Sequence, residues 1–153
     1  MNYWLMKSEP EDFSIDDLAK RRSEPWNGVR NYQARNFIRD GMKMGDMVFF
    51  YHSNCEQPGI VGLAEISRAA YPDPTQFDPK SQYYDAGSSR DAPRWLLVDV
   101  KFKRKLKREI PLLELKAAKE LQDLALVRRG NRLSVMPVSK AEWDFILTLE
   151  RKS

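Results

Sequence analysis

The chain has 153 residues, a length that fits one domain with a single hydrophobic core. Hydrophobic residues make up 42% of it and charged residues 31%, which favours a globular, soluble protein and excludes a disordered chain. The formal net charge is +4, and residues 101–153 contain 14 Lys and Arg against 7 Asp and Glu, so the basic excess lies in the last third.

Three further features limit the class of protein. The start, MNYWLMKSEP, lacks the apolar stretch of a signal peptide, and the longest apolar runs, MVFFY and WLLV, are too short to span a membrane. Cys55 is the single cysteine, so we expect no intrachain disulfide and a reducing, cytoplasmic location. His52 is the single histidine, and no phosphate-binding glycine motif occurs, so neither a metal nor another cofactor is predicted.

The first half of the chain predicts strands separated by two short helices. YWLM forms a strand before Pro10, and a capping box of Ser14 and Asp17 begins a short helix. After the Asn-Gly turn, RNYQARNFIRDG forms a second helix that ends at Gly41. The segments MVFFYHS and PGIVGLAEIS are strands, and the glycines of the second indicate close packing or a bulge.

The second half begins with a long segment, residues 69–94, that has no helical or strand periodicity. It contains Tyr71, Tyr83 and Tyr84, and loops of this length are usually functional or disordered. WLLVDVKF then predicts a strand, IPLLELKAAKELQDLAL a helix, RLSVMPVS a strand and SKAEWDFILTLE a closing helix. The order predicts one α+β domain over residues 1–153, with a small, curled or barrel-like mixed sheet flanked by short helices.

Trp26 lies at a turn rather than on an amphipathic stripe, in the stretch WNGVRN. With the loop tyrosines it could form a platform on which a base stacks, while neighbouring polar groups contact the base edge. The alternative is that these are ordinary core and turn residues. Glu9, between a strand and a proline, is either a pocket carboxylate or a surface turn residue. Cys55 and His52 could pair as a nucleophile and a base only across a turn.

The stretch KFKRKLKRE, residues 101–109, holds much of the basic excess. One interpretation is phosphate attraction that does not depend on base sequence. The other is a solvated strand edge that lysines protect against aggregation. The predicted phosphate-contacting residues are Lys101, Lys103, Arg104, Lys105, Lys107 and Arg108.

Several long segments occur together in a specific order. They are WLMKSEP, WNGVRNYQARNFIRDGMKMGDMVFFYHSN, PGIVGLAEI, WLLVDV and RLSVMPVSKAEW. In this order and spacing they resemble the EVE domain family, the thymocyte nuclear protein-like family of the PUA-like superfamily. The resemblance covers essentially the whole chain and implies a PUA-like fold in a bacterial protein that consists of the EVE domain alone.

The resemblance also implies kinship with YTH domains, which hold a methylated adenine in an aromatic cage, and a role in recognising modified bases such as modified cytosine. It implies that Trp26 is the cage tryptophan and that Tyr71 is a second wall of the cage. The other implied base-binding residues follow the first strand, the turn and the strand MVFFYHS: Lys7, Ser8, Glu9, Pro10, Arg30, Asn31, Tyr51, His52 and Ser53.

Three functions therefore stay open at this point. The first is a non-catalytic module that binds a modified base in DNA or RNA, with no membrane or metal partner. The second is a hydrolase or nuclease of the PUA-like or ASCH type, with Lys7, Glu9 and His52 as acid–base groups. The third is a domain for a small metabolite or a protein partner, in which the polar residues only support loops. The oligomeric state is not predicted.

Overall fold

A mixed sheet of six strands organises the protein, and the computed structural model describes residues 1–152 of it. Ser153, the last residue of the predicted domain, lies outside the described residues. The strands are β1 (Tyr3–Ser8), β2 (Ser23–Pro25), β3 (Met47–His52), β4 (Gly59–Pro72), β5 (Leu96–Pro111) and β6 (Val135–Val138). They lie in the order β2-β5-β4-β3-β1-β6, with β1 and β3 parallel and the other neighbours antiparallel.

Four short helices flank the sheet: α1 (Ile15–Arg21), α2 (Tyr32–Asn36), α3 (Leu112–Ala117) and α4 (Lys140–Glu150). The capping boxes predicted at Ser14 and Ser139 are confirmed at the starts of α1 and α4. Helix α2 continues into a wider turn over Phe37–Gly41, which the Met42 N–H closes by donating to the Phe37 carbonyl. The predicted end of this helix at Gly41 is therefore confirmed.

The alternation of side chains along β1 divides the hydrophobic core between the two faces of the sheet. Trp4 and Met6 face a first core that α1, α2 and the turn before α2 cover. Leu5 faces a second core, which α3, α4 and the turns between α3 and β6 cover. Because both faces are buried, the central strands are apolar nearly throughout rather than alternating with polar residues.

Strands β4 and β5 are much longer than predicted and curl the sheet. Their pairing shifts register at several points, as β-bulges do when they bend a sheet. Glycine is required at Gly59, because a Cβ there would lie 2.5 Å from the carbonyl oxygen of Ile110 on β5. The predicted close packing of this glycine is confirmed, and the sheet has the curled form expected of the sequence.

Other predicted elements also differ from the structure. The segment 69–94 is shorter as a loop, because β4 extends to Pro72 and a 3₁₀ turn follows at Pro74–Phe77. The short edge strand β2 is absent from the elements that the sequence predicts. The helix predicted from Ile110 is broken: its first two residues pair with β4, α3 has only six residues, and two 3₁₀ turns follow. Ladder pairing with β4 and burial of scattered leucines outweigh helix propensity there.

A buried carboxylate fastens the end of α4 to β5, and its removal provides a test of the fold. Glu150 accepts from Arg104 Nη1 and Nη2 at 2.6 and 2.8 Å and from the Lys107 N–H at 2.7 Å. We expect Glu150→Ala to lower the free energy of unfolding by about 2 kcal/mol, the usual scale for hydrogen bonds to a charged group. Urea denaturation followed by tryptophan fluorescence measures this decrease.

Asp144→Ala on the same helix is the matched control, because its pair with Lys140 is exposed on both sides. We expect this control to unfold at the wild-type urea concentration. Equal urea midpoints for Glu150→Ala and Asp144→Ala would show that the hydrogen bonds of Glu150 to β5 do not stabilise the fold.

Candidate nucleic-acid interface

A polar cavity of about 640 Å³ lies where β1 and β2 lead into their following segments. We call it the Trp26 cavity; it is lined by residues 7–9, 11–13 and 24–30, with Arg21, Gln82, Tyr83 and Ser134. Its volume falls in the range of small-ligand sites. Four separate segments of chain meet here: the β1–α1 connection, the β2–α2 connection, the long loop before β5 and the end of the loop before β6.

Trp26 is at once a wall of the cavity and a member of the first core. Only 8% of its surface is exposed, and its ring packs edge-on against Phe13 and Phe50, with centroids 6.5 and 5.6 Å away. The indole N–H groups of Trp4 and Trp95 donate to Asp46 and Asp85, whereas that of Trp26 has no protein acceptor within residues 1–152. Packing therefore fixes the ring, and no described protein group accepts from its N–H.

Tyr83, from the long loop, supplies a second aromatic wall. Its ring lies against Gly28, where an added Cβ would be 2.6 Å from Tyr83 Cζ, and Gly28 has the left-handed φ of 86°. A side chain at this turn would thus be strained and would displace the tyrosine. Glycine in the Asn-Gly turn is what lets the loop tyrosine close over the start of the Trp26 segment.

Arg30 and the buried carboxylate of Asp73 hold these two walls together. Asp73 Oδ2 accepts from the Gly28 N–H at 2.8 Å and from Arg30 Nη1 at 3.1 Å. Arg30 also donates to the Tyr83 carbonyl at 2.8 and 3.1 Å and to Thr75 Oγ1 at 3.0 Å. The guanidinium lies in the cavity wall, but protein acceptors occupy its donors, so it positions the loop.

The segment after β1 forms the opposite rim. Ser8 Oγ donates to the Phe13 carbonyl at 2.6 Å, and Glu9 Oε1 accepts from Asn54 Nδ2 at 2.7 Å. Glu9 keeps a second carboxylate oxygen available, and Glu11 and Asp12 lie beside it in the lining. Lys7 also contributes, and partial burial lowers the pKa of its amine. This rim offers mainly hydrogen-bond acceptors.

Four other predicted base-binding residues have different surroundings. Asn31 caps α2 by accepting from the Ala34 N–H at 3.0 Å, and the Ser53 N–H donates to the Ser8 carbonyl at 3.0 Å. Tyr51 is buried in the second core, where burial first, then Cys55 and Glu109, raise its pKa to about 12. Pro10 lies half-buried between Glu9 and the turn that follows it.

Tyr71, predicted as the second cage wall, lies on β4 opposite Leu97 of β5. Its hydroxyl donates to Asp99, and the Arg68 guanidinium lies 3.7 Å from its ring centroid. Burial and the Asp99 contact raise its pKa to about 12. The structure brings Tyr83 rather than Tyr71 to the cavity, because β4 continues to Pro72 and holds Tyr71 in the sheet.

His52 and Cys55 do not form the arrangement that nucleophilic catalysis needs. His52 Nε2 accepts from the Ile15 N–H at 3.1 Å, so the imidazole caps the start of α1. Burial lowers the pKa of His52, which keeps it neutral and able to accept this hydrogen bond. Of the acid–base groups in the hydrolase alternative, Lys7 and Glu9 line the Trp26 cavity, whereas the acceptor nitrogen of His52 is already used.

The predicted phosphate-contacting residues all lie on β5, and most of them are paired. Arg104 binds Glu150, Arg108 binds Glu114 at 2.6 Å, and Lys105 lies 2.7 Å from Asp16. Lys101 and Lys103 lie 3.7 and 3.9 Å from Glu65. The net positive field of β5 is therefore smaller than its composition indicates, and its contact with phosphates stays a prediction.

Sequence reasoning missed several residues that line the cavity. Gln82 and Ser134 arrive from distant parts of the chain without a signal in the sequence, whereas Tyr83 is one of the loop tyrosines that the sequence offers as a stacking platform. The buried acid Asp73 could have been suspected from the prolines around it, since Pro-Asp-Pro fixes a turn. Within residues 1–152, no group of three His, Cys, Asp or Glu side chains could hold a metal ion. None of the described helices has the length and apolar character to cross a membrane.

Removal of Arg30 tests whether the cavity depends on the loop contact. We expect Arg30→Ala to lower the free energy of unfolding by roughly 3 kcal/mol, because Asp73 is fully buried and would no longer have its cationic partner. Arg39→Ala is the matched control, since its pair with Asp40 is exposed. Urea denaturation measures the stability of both variants. An unfolding midpoint of Arg30→Ala equal to that of the control would refute the role of Arg30 in holding the loop.

The His52 cap predicts a specific pH dependence. Its folded pKa is below the ordinary value of about 6.5, so the unfolded chain takes up the proton first as the pH falls. Stability should therefore decrease as the pH falls through about 6.5 and level off below the folded pKa. Urea midpoints measured between about pH 8 and pH 5.5 give the dependence of stability on pH, and His52→Gln should reduce this dependence. The same dependence in both proteins would assign it to other groups.

Comparisons with known proteins identify the family and the fold. The EVE domain family matches residues 2–149. Thymocyte nuclear protein 1 of Mus musculus is 51% identical over 97% of this chain and 74% of the mouse protein. A Pseudomonas putida protein of known structure is 53% identical, with a TM-score of 0.94 over 97% of this chain and 99% of that one.

Human THYN1 has been solved in complex with DNA that contains 5-methylcytosine. It is 47% identical to this chain, with a TM-score of 0.95 over 100% of this chain and 99% of the human one. An ASCH protein variant from Zymomonas mobilis reaches a TM-score of 0.58 at 12% identity, a likeness that concerns the fold alone. From the match over residues 2–149 and the mixed sheet shared with these relatives, the chain belongs to the EVE domain family and has its PUA-like fold.

Proposed function

We propose that this protein is a non-catalytic module that binds a modified cytosine of DNA in the Trp26 cavity. The observation that carries the proposal is the complex of human THYN1 with DNA containing 5-methylcytosine, seen in a protein that shares this fold along the whole chain. The cavity of this chain offers what such a ligand needs, namely aromatic walls, hydrogen-bond acceptors and space.

The aromatic walls would supply the stacking energy. A base that leaves the duplex costs a few kcal/mol, and stacking on an aromatic side chain returns about 1–3 kcal/mol per base. Trp26 is fixed by Phe13 and Phe50, and Tyr83 is fixed by Gly28, so binding costs little side-chain entropy. Rigid walls of this kind favour a flat ligand.

The acceptor-rich rim suits the edge of cytosine. Cytosine presents an exocyclic amino group, and Glu or Asp carboxylates are the side chains that accept from it. Glu9, Glu11 and Asp12 lie in the rim, and the carboxylate of Glu9 is oriented by Asn54. A methyl group adds only a small apolar contact of about 0.8 kcal/mol. Discrimination between the methylated and the unmodified base should therefore be several-fold rather than absolute.

We further propose that the protein is bacterial and acts in the cytoplasm. The support for this is the lone Cys55, which suits a reducing compartment, and the likeness to the Pseudomonas putida protein. The mouse relative is named a nuclear protein, and DNA is present in either compartment.

A binding experiment with matched tyrosine variants tests the proposal. Two labelled duplexes, identical except for one central 5-methylcytosine, are titrated with protein and followed by fluorescence anisotropy. We expect the wild type to bind the methylated duplex several-fold more tightly. Tyr83→Leu should weaken this binding by about tenfold or more, because a stacked ring is worth about 1–3 kcal/mol.

Tyr84→Leu is the matched control, since this neighbouring tyrosine is 45% exposed and is not part of the cavity lining. Trp26→Phe is the second variant, because it keeps an aromatic ring in the core while it removes the indole N–H. Equal affinities of the wild type for both duplexes, or equal decreases in Tyr83→Leu and Tyr84→Leu, would refute recognition in this cavity.

A further inference from the structure

We propose that the loop Arg128–Arg132, just before β6, binds the phosphodiester backbone of the DNA strand whose base enters the Trp26 cavity. The inference rests on the proposed function and assigns the phosphate-binding surface to a different part of the chain from the basic strand β5. We call this segment, RRGNR, the arginine loop.

The arginine loop carries free positive charge. Arg128, Arg129 and Arg132 are exposed, and within residues 1–152 none of their guanidinium groups forms an ion pair or a hydrogen bond. The arginines of β5 differ, because Arg104 and Arg108 each bind a glutamate through two nitrogens. Guanidinium groups without a protein acceptor are the ones available to phosphate oxygens.

The arginine loop also lies beside the Trp26 cavity. It lines a second cleft of about 460 Å³, together with Asn31, Gln33 and Leu133. Arg30 and Ser134, the direct chain neighbours of Asn31 and Leu133, line the Trp26 cavity. The two clefts are therefore adjacent. They are separated by Arg30 and Asn31 on one segment and by Leu133 and Ser134 on the other. A strand that inserts a base into one cleft would carry its adjacent phosphates along the other.

Asn131 at the centre of the loop provides an independent indication of a ligand. Its Oδ1 accepts from the Leu133 N–H at 3.4 Å, which orients the amide, while its Nδ2 is buried and has no hydrogen-bond partner in the described chain. A buried donor without an acceptor costs about 1–3 kcal/mol. Because Asn131 belongs to the lining of the second cleft, a small rotation of its side chain would bring this N–H group to a phosphate oxygen there.

Charge around the Trp26 cavity favours one path for the DNA backbone. The rim carries three carboxylates, of Glu9, Glu11 and Asp12, against the one amine of Lys7, so it is acidic and repels phosphates. The arginine loop borders the cavity through Leu133 and Ser134. A DNA strand therefore lowers its electrostatic energy when the backbone runs over the arginine loop and only the uncharged base approaches the acidic rim.

The test compares two triple variants that each remove three positive charges. The first is Arg128→Ala with Arg129→Ala and Arg132→Ala; the second is Lys101→Ala with Lys103→Ala and Lys107→Ala on β5. Each is titrated against the methylated and unmodified duplexes over a series of salt concentrations. The slope of log affinity against log salt falls by about 0.9 for each phosphate that the variant no longer neutralises.

We expect the slope of the arginine triple variant to fall by up to about 2.7, and both duplexes to bind more weakly by the same factor, so that the preference for methylcytosine persists. The lysine triple variant should keep the wild-type slope. Asn131→Asp retains the acceptor for the Leu133 N–H and adds a negative charge. This variant should therefore also bind both duplexes more weakly.

The outcomes separate this inference from the proposed function. The assignment of the phosphate site to the arginine loop would be overturned by either of two results. One is a wild-type salt dependence of affinity in the arginine triple variant, and the other is a reduced salt dependence in the lysine triple variant instead. A change in the methylcytosine preference alone, with the slope intact, would also overturn it. If the slope falls in the arginine variant while the wild type binds both duplexes equally, the phosphate site is supported and recognition of the modified base fails.

Discussion

The carboxylate of Asp73 is the contact on which the candidate site depends. It is fully buried, and its two oxygens accept from Gly28, Arg30 and Thr75. A buried charge of this kind is tolerated only when its hydrogen bonds are complete, so the turn at Gly28 and the long loop must fold together. The same contact sets Tyr83 opposite the Trp26 segment. Without it the two aromatic walls would belong to two independent loops, and a pre-formed cavity would not exist.

Trp26 connects the cavity to the stability of the protein. Because the ring is almost entirely covered by the first core, the position of the cavity wall is as well determined as that of a core residue. A loop-borne tryptophan would have to be ordered by the ligand at an entropic cost. The question of whether this residue is core or binding site therefore has a physical answer: its packing against Phe13 and Phe50 makes it both.

Local signals in the sequence predicted what local forces determine. Capping boxes at Ser14 and Ser139, the strand MVFFYH and the end at Gly41 need only near neighbours, and all are confirmed. The length of β5, the break after α3 and the approach of Tyr83 depend on partners far along the chain, which composition and periodicity do not contain. The position of Tyr71 shows this limit: the resemblance implies a cage wall there, whereas pairing of β4 with β5 brings its hydroxyl to Asp99. The composition of β5 overstates its free positive charge for the same reason, since Glu65, Glu114, Glu150 and Asp16 pair with its cations only in the folded chain.

Separation of charge between neighbouring clefts has consequences for affinity and specificity. Phosphate contacts supply attraction that is equal for every sequence and weakens with salt, whereas contacts with the base supply discrimination. An acidic rim lowers non-specific affinity, because the backbone cannot bind across the Trp26 cavity unless a base enters it. In the proposed arrangement, the arginine loop beside the rim restores affinity when the backbone passes on that side of the cavity. Under the proposed function, the methyl group then adds its several-fold preference to an attraction that is equal for both bases and acts outside the Trp26 cavity.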